Sequence, residues 1–253
     1  MRLRPTCPWC SMGRCVTFIL VGAGLALLAG CCHEGNAPRS ASDQPPDEVT
    51  LAFHLELNPH VYADSAWADP PQLAVWLEGE DGQQLRTVAV THRVGAGDWE
   101  GKVECAVALP CWVAFYSRET GTTSPPTWDH PAPDAVTCAT PRAELDATIQ
   151  VPRSSHWRYF VEVNVSGDYS AAYPSLTDDG LSDRYGNGQP SLVYQGTIEA
   201  TAGQTSQPEL WGRTDQHVAV DTPNPDLQPI TTARDLLQII SVSCTGPAPQ
   251  TTF

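Results

Sequence analysis

Lysine is all but missing from this chain: Lys102 is the sole example among 253 residues. Lysine and arginine together number 14 against 29 aspartates and glutamates, a formal net charge of −15. No basic patch forms anywhere, and a surface of this sign repels phosphate backbones and anionic head groups. Nucleic acid is excluded as a partner. The usual catalytic templates are missing too. The sequence has no GxSxG elbow, no Gly-rich phosphate cradle and no HExxH pair, so no autonomous catalytic site is expected. His54, His60, His92, His130, His156 and His217 stand singly and read as surface or loop residues. There is no internal repeat. No apolar run reaches the roughly 20 residues that a membrane-spanning helix needs.

The longest such run, "VTFILVGAGLALLAG" at 16–30, has 15 residues and follows Arg2, Arg4 and Arg14. A basic segment ahead of an apolar stretch of this length is an export signal and takes no part in the fold. Translation is expected to start at Met1 or at Met12, which opens the more typical signal. "CPWC" at 7–10 leaves with the signal and is not a site. The ending "LLAGC" at 27–31 resembles the lipobox of bacterial lipoproteins. That resemblance implies that residues 1–30 are removed, that the Cys31 thiol receives a diacylglycerol and that the new amine is acylated. Several acyl chains hold durably, since each buried methylene contributes about 0.8 kcal/mol. Cys32 stands where an aspartate would mark retention, so resemblance to sorted lipoproteins points to the outer membrane of a cell that has one. The mature chain keeps 11 basic against 29 acidic residues, a formal −18 in place of −15.

Residues 31–48 are polar, contain Pro and Ser, and read as a flexible tether. The folded part is expected over 49–245, with 246–253 as a disordered tail. Its four cysteines, Cys105, Cys111, Cys138 and Cys244, most simply form two disulfides in an oxidising compartment. Three connectivities are open. Their spacing fits no zinc motif.

Strand signals dominate the folded part. "VTLAFHLEL" places Leu51, Phe53, Leu55 and Leu57 on one face. "QLAVWLEGEDGQQLRTVAVTH" reads as a hairpin turning at Asp81-Gly82. "WRYFVEVNVS" sets Tyr159, Val161, Val163 and Val165 opposite Glu162 and Asn164. "DATIQV", "SLVYQGTIEA" and "LQIISVSC" complete the set. Period-2 patterning with Pro- and Gly-rich turns predicts an all-β fold, an antiparallel Ig-like β-sandwich with long loops and one or two short helices. One short helix is expected after "ITTARDLLQ", where Thr232 and Asp235 have capping-box spacing; another precedes "LPCW". The long loops at 117–137 and 166–190 are where function is expected to sit.

Two stretches carry candidate chemistry. "TDDGLSDRYGNG" at 177–188 gathers Asp178, Asp179 and Asp183, which is either a weak calcium site or a solvated acidic turn. The other is "DAVTCATP" at 134–141. With "PPQLAVWLEGEDGQQLRTVAVTHR", "ALPCWVAFYSRETG", "YFVEVNVSGDYSAAYP", "NGQPSLVYQGTIEA" and "PDLQPITTARDLLQI", it resembles a family of predicted periplasmic proteins with a domain of unknown function, often encoded beside flavin transferases and membrane-bound flavoproteins. The family's version of the loop is close to Asp-x-x-(Ser/Thr)-Gly-(Ala/Ser)-Thr, the acceptor pattern for covalent flavin mononucleotide (FMN) outside the cytoplasm.

The resemblance implies Thr140 as the attachment residue, Asp134 and Thr137 as recognition positions and Ala139 as the spacer. A flavin transferase would be the modifying partner and an envelope redox protein the electron partner. Trp112, Tyr116 and Trp128 flank the loop and are candidates to stack on the flavin. Position 138, however, is Cys where the pattern has glycine. Two readings of "DAVTCATP" therefore stand together: a flavinylated acceptor loop, or a turn stapled by Cys138 through a disulfide. The function classes that follow are a covalent flavin carrier for electron transfer and a non-redox binding or scaffolding lipoprotein of an envelope complex.

Overall fold

A computed structural model describes residues 47–176, 180, 182–216 and 218–246. The signal, Cys31, Cys32 and nearly all of the tether lie outside the described residues, as do Asp178, Asp179, His217 and the expected tail beyond Gly246.

The described residues open with β1 (Glu48–Leu57), whose residues alternate between full and partial burial. Leu51, Phe53, Leu55 and Leu57 share the inner face, as their period-2 spacing dictates. A single helical turn, α1 (Pro59–Ala63), follows with Asn58 capping it through the His60 amide at 3.2 Å. The predicted hairpin is β2 (Gln72–Gly79) and β3 (Leu85–Thr91). Asp81 Oδ1 accepts from the Gln83 amide at 2.9 Å, and Gly82 adopts φ 68°, the left-handed conformation that glycine reaches without a Cβ clash. Two helices come next: α2 (His92–Ala96) and α3 (Pro110–Thr120). Pro110 sits in the first turn of α3, where its missing N–H costs nothing, and Gly121 ends the helix at φ 74°.

The remaining strands are β4 (Thr137–Cys138), β5 (Glu144–Pro152), β6 (His156–Asn164), β7 (Leu192–Glu199), β8 (Thr205–Ser206), β9 (Glu209–Arg213) and β10 (Leu237–Thr245). A short 3-10 turn, Thr232–Asp235, precedes β10. They form a four-stranded sheet in the order β5-β1-β10-β8 and a six-stranded sheet in the order β4-β3-β2-β6-β7-β9. All named pairs are antiparallel except β3–β4, which is parallel. The fold is thus mostly β, two sheets with few helices.

The sheets enclose an inner core drawn from both, including Phe53, Leu73, Tyr159, Val161, Leu192 and Val242. A second core lies on the other face of the six-stranded sheet, where Ala74, Trp76 and Phe160 meet Leu109, Trp112, Val113 and Phe115 of the α3 region. Every residue of β2 is consequently buried. The two sheets accord with the expected β-sandwich, and α3 adds a cover on the outer face of the six-stranded sheet.

Three expectations need correction. Among the described residues the helical content is three short α-helices and a 3-10 turn, and the helix expected before "LPCW" instead begins inside it. The Thr232–Asp235 capping box does not form, because the Thr232 hydroxyl donates to Asp168 Oδ1 at 2.6 Å and leaves the 3-10 turn without a side-chain cap. Cys105, Cys111, Cys138 and Cys244 are all free. Cys105 and Cys111 belong to the outer core, while Cys244 lies in the inner core with Cys138 packed against it. The six-stranded sheet therefore stands between the two groups, and within the outer pair Cys105 instead faces the Asn187 amide at 3.2 Å.

Candidate functional site

The "DAVTCATP" segment is built from a turn and an edge strand. The Val136 and Thr137 amides donate to Pro133 O and Asp134 O at 3.1 and 3.2 Å, and the Thr137 hydroxyl donates to Pro133 O at 3.2 Å. Val90 N–H donates to Val136 O at 2.8 Å, which seats β4 against β3 with Thr91 opposite Cys138. Asp134 and Ala139 are exposed, and Thr137, Cys138 and Thr140 are partly buried. Thr140 lies past the end of β4, so its backbone is outside the ladder. A Cβ at Gly95 would meet Thr137 Oγ1 at 3.3 Å, so α2 packs tightly behind the strand. The segment's middle is sheet; its end is not. Of the aromatic residues that flank it, Trp112 and Tyr116 belong to the core: their rings pack on each other at 5.1 Å, and the Trp112 indole N–H donates to Thr87 Oγ1 at 3.3 Å.

Trp128 behaves differently. It is 80% exposed, the most exposed of the large apolar side chains among the described residues. It occupies the tip of a tight turn in which Thr127 N–H donates to His130 O at 3.1 Å and His130 N–H returns to Thr127 O at 2.9 Å. The Thr127 hydroxyl donates to Asp129 Oδ1 at 2.8 Å and, ahead of other causes, holds that carboxyl below its usual pKa. Gly97, at φ 61°, lies so close beneath that a Cβ there would sit 2.4 Å from Thr127 Cα. Ala132 N–H donates to Gly95 O at 2.7 Å. The turn is bolted to the end of α2 at both points. A cleft of about 610 Å³ opens beside it, lined by Trp99 and Trp128, by Asp98, Glu100, Glu104 and Asp129, and by Lys102, whose ammonium pairs with Asp69 at 2.6 Å.

Beneath α3 lies a carboxylate that strand alternation placed opposite the core but that is wholly buried. Glu162 accepts from the backbone amides of Cys111 at 3.2 Å and Trp112 at 2.7 Å, the second and third residues of α3, and from the Ser191 hydroxyl at 2.5 Å. It serves the helix as a cap supplied by a neighbouring strand. Burial pushes its pKa up to about 7 against the downward pull of those three donors. The same burial drives the neighbouring Cys111 thiol far above its ordinary value, so Cys111 is no nucleophile. The Cys105 thiol is raised to about 11 for the same reason.

The described end of the acidic turn, 182–188, is held by its own hydrogen bonds. Asp183 accepts from the amides of Tyr185 and Gly186 at 3.1 and 3.0 Å through one oxygen and from Gly188 at 2.8 Å through the other. Its carboxylate holds the turn's own backbone. The loop at 166–190 also reaches the interior: Gln189 bonds Asp168 Oδ2 at 2.8 Å and the Thr232 hydroxyl at 2.7 Å. His60, His92, His130 and His156 are exposed, as expected of singly placed histidines. His54 stands instead on the outward face of β1 between Asp146 and Glu56, and its pKa is raised first by the Asp146 bond at 2.8 Å.

No family model, curated protein or solved structure matches this chain.

Proposed function

We propose that the protein is a lipid-anchored extracytoplasmic binding protein, an Ig-like sandwich serving as a rigid stand for a docking surface centred on Trp128. In this reading Cys31 carries the lipid, residues 31–48 give reach from the outer membrane, and the partner is a protein of the same envelope. The observation that carries it is the 80% exposure of Trp128 on a turn locked by Gly97. Tryptophan has large contact area and little rotamer freedom to lose, which makes a pre-positioned exposed indole an interface anchor. The carboxylates of Asp98, Glu100, Glu104 and Asp129 around it suit a partner that presents arginine or lysine, since the indole face attracts the same cation. The test is a photo-crosslinking residue at Asp129 in intact cells, with one at exposed Gln83 as control. A discrete adduct from position 129 that vanishes with Trp128→Ala supports the reading. Equal labelling from both positions refutes it.

A second reading is favoured by a separate observation. Cys138 is free and Thr140 lies outside the ladder, only partly buried, which suits an acceptor that a modifying enzyme must reach. There the Thr140 oxygen would displace AMP from FAD to form a phosphoester to FMN, and the tethered flavin would supply the redox chemistry. Intact mass after co-expression with a flavin transferase decides it: an added FMN that is lost with Thr140→Val supports the carrier, and an unmodified mass ends it.

A further inference from the structure

We propose that a second cleft, of about 440 Å³ on the outer face of the six-stranded sheet, binds a small ligand that joins one carboxylate to a flat apolar body. It shares no lining residue with the Trp128 cleft and stands independently of the docking surface.

The floor is aromatic. Trp76 and Phe160 stack at 5.2 Å and 13°, and Trp211 continues the row at 5.7 Å from Phe160. Trp211 is only half-buried and leaves ring surface to cover. Above the floor two arginines share one acid. Glu78 Oε1 accepts from Arg118 Nη2 at 2.7 Å and its Oε2 from Arg158 Nη2 at 2.6 Å. The Glu78 side chain is 7% exposed, while those of Arg118 and Arg158 are 44% and 46% exposed. Each guanidinium also lies over a ring, Arg118 over Phe115 at 5.6 Å and Arg158 over Phe160 at 5.8 Å.

Two positive charges and one negative leave a surplus of one in a chain whose formal charge is −15. A guanidinium has five N–H donors, and Glu78 occupies one nitrogen of each. Among the described residues the surplus is met at the rim, where Asp221 stands 3.5 Å from Arg118 Nε on a side chain 73% exposed. That distance and exposure make Asp221 a loose internal stand-in for an external carboxylate. A ligand carboxylate takes its place with charge-assisted bonds to both arginines, and a flat body attached to it covers the half-open indole.

The probe is benzoate, titrated into the full chain in detergent and followed by the indole N–H signals of Trp76 and Trp211 and by calorimetry. Benzamide keeps the ring without the charge, and acetate keeps the charge without the ring. Benzoate is expected to saturate, with both controls at least about tenfold weaker, the worth of one bond to a charged group. Asp221→Asn removes the competing carboxylate and is expected to tighten benzoate about two- to fivefold. Arg158→Met is expected to weaken it about tenfold or more. Because Arg158→Met also strips a partner from buried Glu78, the exposed Asp221→Asn variant carries the test if that protein does not fold. Benzamide binding as well as benzoate, Asp221→Asn leaving affinity unchanged or lower, or indole signals that do not move would each overturn the site.

Discussion

The two faces of the six-stranded sheet are the same strands read at alternate positions, yet they are built on different principles. Toward the four-stranded sheet, β2 and β6 offer Leu73, Val75, Leu77, Tyr159, Val161 and Val163. Toward α3 the intervening positions offer Ala74, Trp76 and Phe160 but also Gln72, Glu78, Glu162 and Asn164, all buried. The inner face is held mainly by apolar area, at roughly 25 cal/mol per Å² removed from water, with the Tyr159 hydroxyl bonded to Ser206 at 2.8 Å. The outer face also buries polar groups: Glu162 is satisfied by closing the amides of an incoming helix, while Asn164 Oδ1 is left without a partner. Polar burial fixes where α3 sits, at the cost of sensitivity to pH.

The largest effect that sharpens this contrast is expected on the inner side. Phe53→Ala removes a fully buried ring packed edge-on to Tyr159 at 5.9 Å. It should cost about 4 kcal/mol in denaturant unfolding, by the same amount at pH 5.5 and pH 8. Unequal losses at the two pH values would break the comparison.

Next comes the outer side's own signature. The Glu162 carboxyl has a folded pKa of about 7 against an ordinary 4.5. A raised acid pKa means that the folded state keeps its proton longer than the unfolded chain does. The associated stability is fully present below the unfolded value and is lost as pH rises through about 7. The loss should approach roughly 3 kcal/mol by pH 8, and Glu162→Gln should remove most of it. Asp168, raised by burial in the same direction, leaves a residual slope. Melting temperatures of wild type and variant across pH 5 to 8 check this; parallel curves would show that Glu162 does not titrate there.

Smaller still is the acidic turn. Asp183→Ala frees three backbone amides in a partly exposed loop and should cost about 1–2 kcal/mol, read as faster hydrogen exchange at Tyr185, Gly186 and Gly188. The smallest effect belongs to Trp128→Ala, which should leave stability within about 0.5 kcal/mol while abolishing the crosslinked adduct. A large stability loss there would move Trp128 from interface to core.

What was legible in the chain follows the range of the interactions concerned. Strand alternation in "VTLAFHLEL" and "WRYFVEVNVS" and the turn at Asp81-Gly82 are local, and the structure agrees with each. The same alternation marks Glu162 and Asn164 as opposite the core, and they are. Whether that side faces water depends on α3, which lies about fifty positions away from Glu162 in the chain, and alternation is silent about that. The continuous apolar run of β2 was the one available signal of a sheet covered on both faces. Thr232 had the spacing of a cap, but a hydroxyl bonds whichever acceptor folding brings near, and that was Asp168. The compartment alone suggested two disulfides, but all four cysteines are free, because pairing depends on where folding puts each thiol, two in the outer core and two with the inner one.

By itself, then, the order of residues determined the strands, their inward faces, the tight turns and the acidic, lysine-poor surface, because each depends on neighbours within a few positions. Only tertiary structure decided that a helix closes the outer face, that the cysteines stay apart, that Trp128 stands clear and that two arginines converge on Glu78. Those outcomes join segments tens to hundreds of residues apart, as in the pairing of Thr50 with Thr245, and no local pattern encodes a distance of that kind.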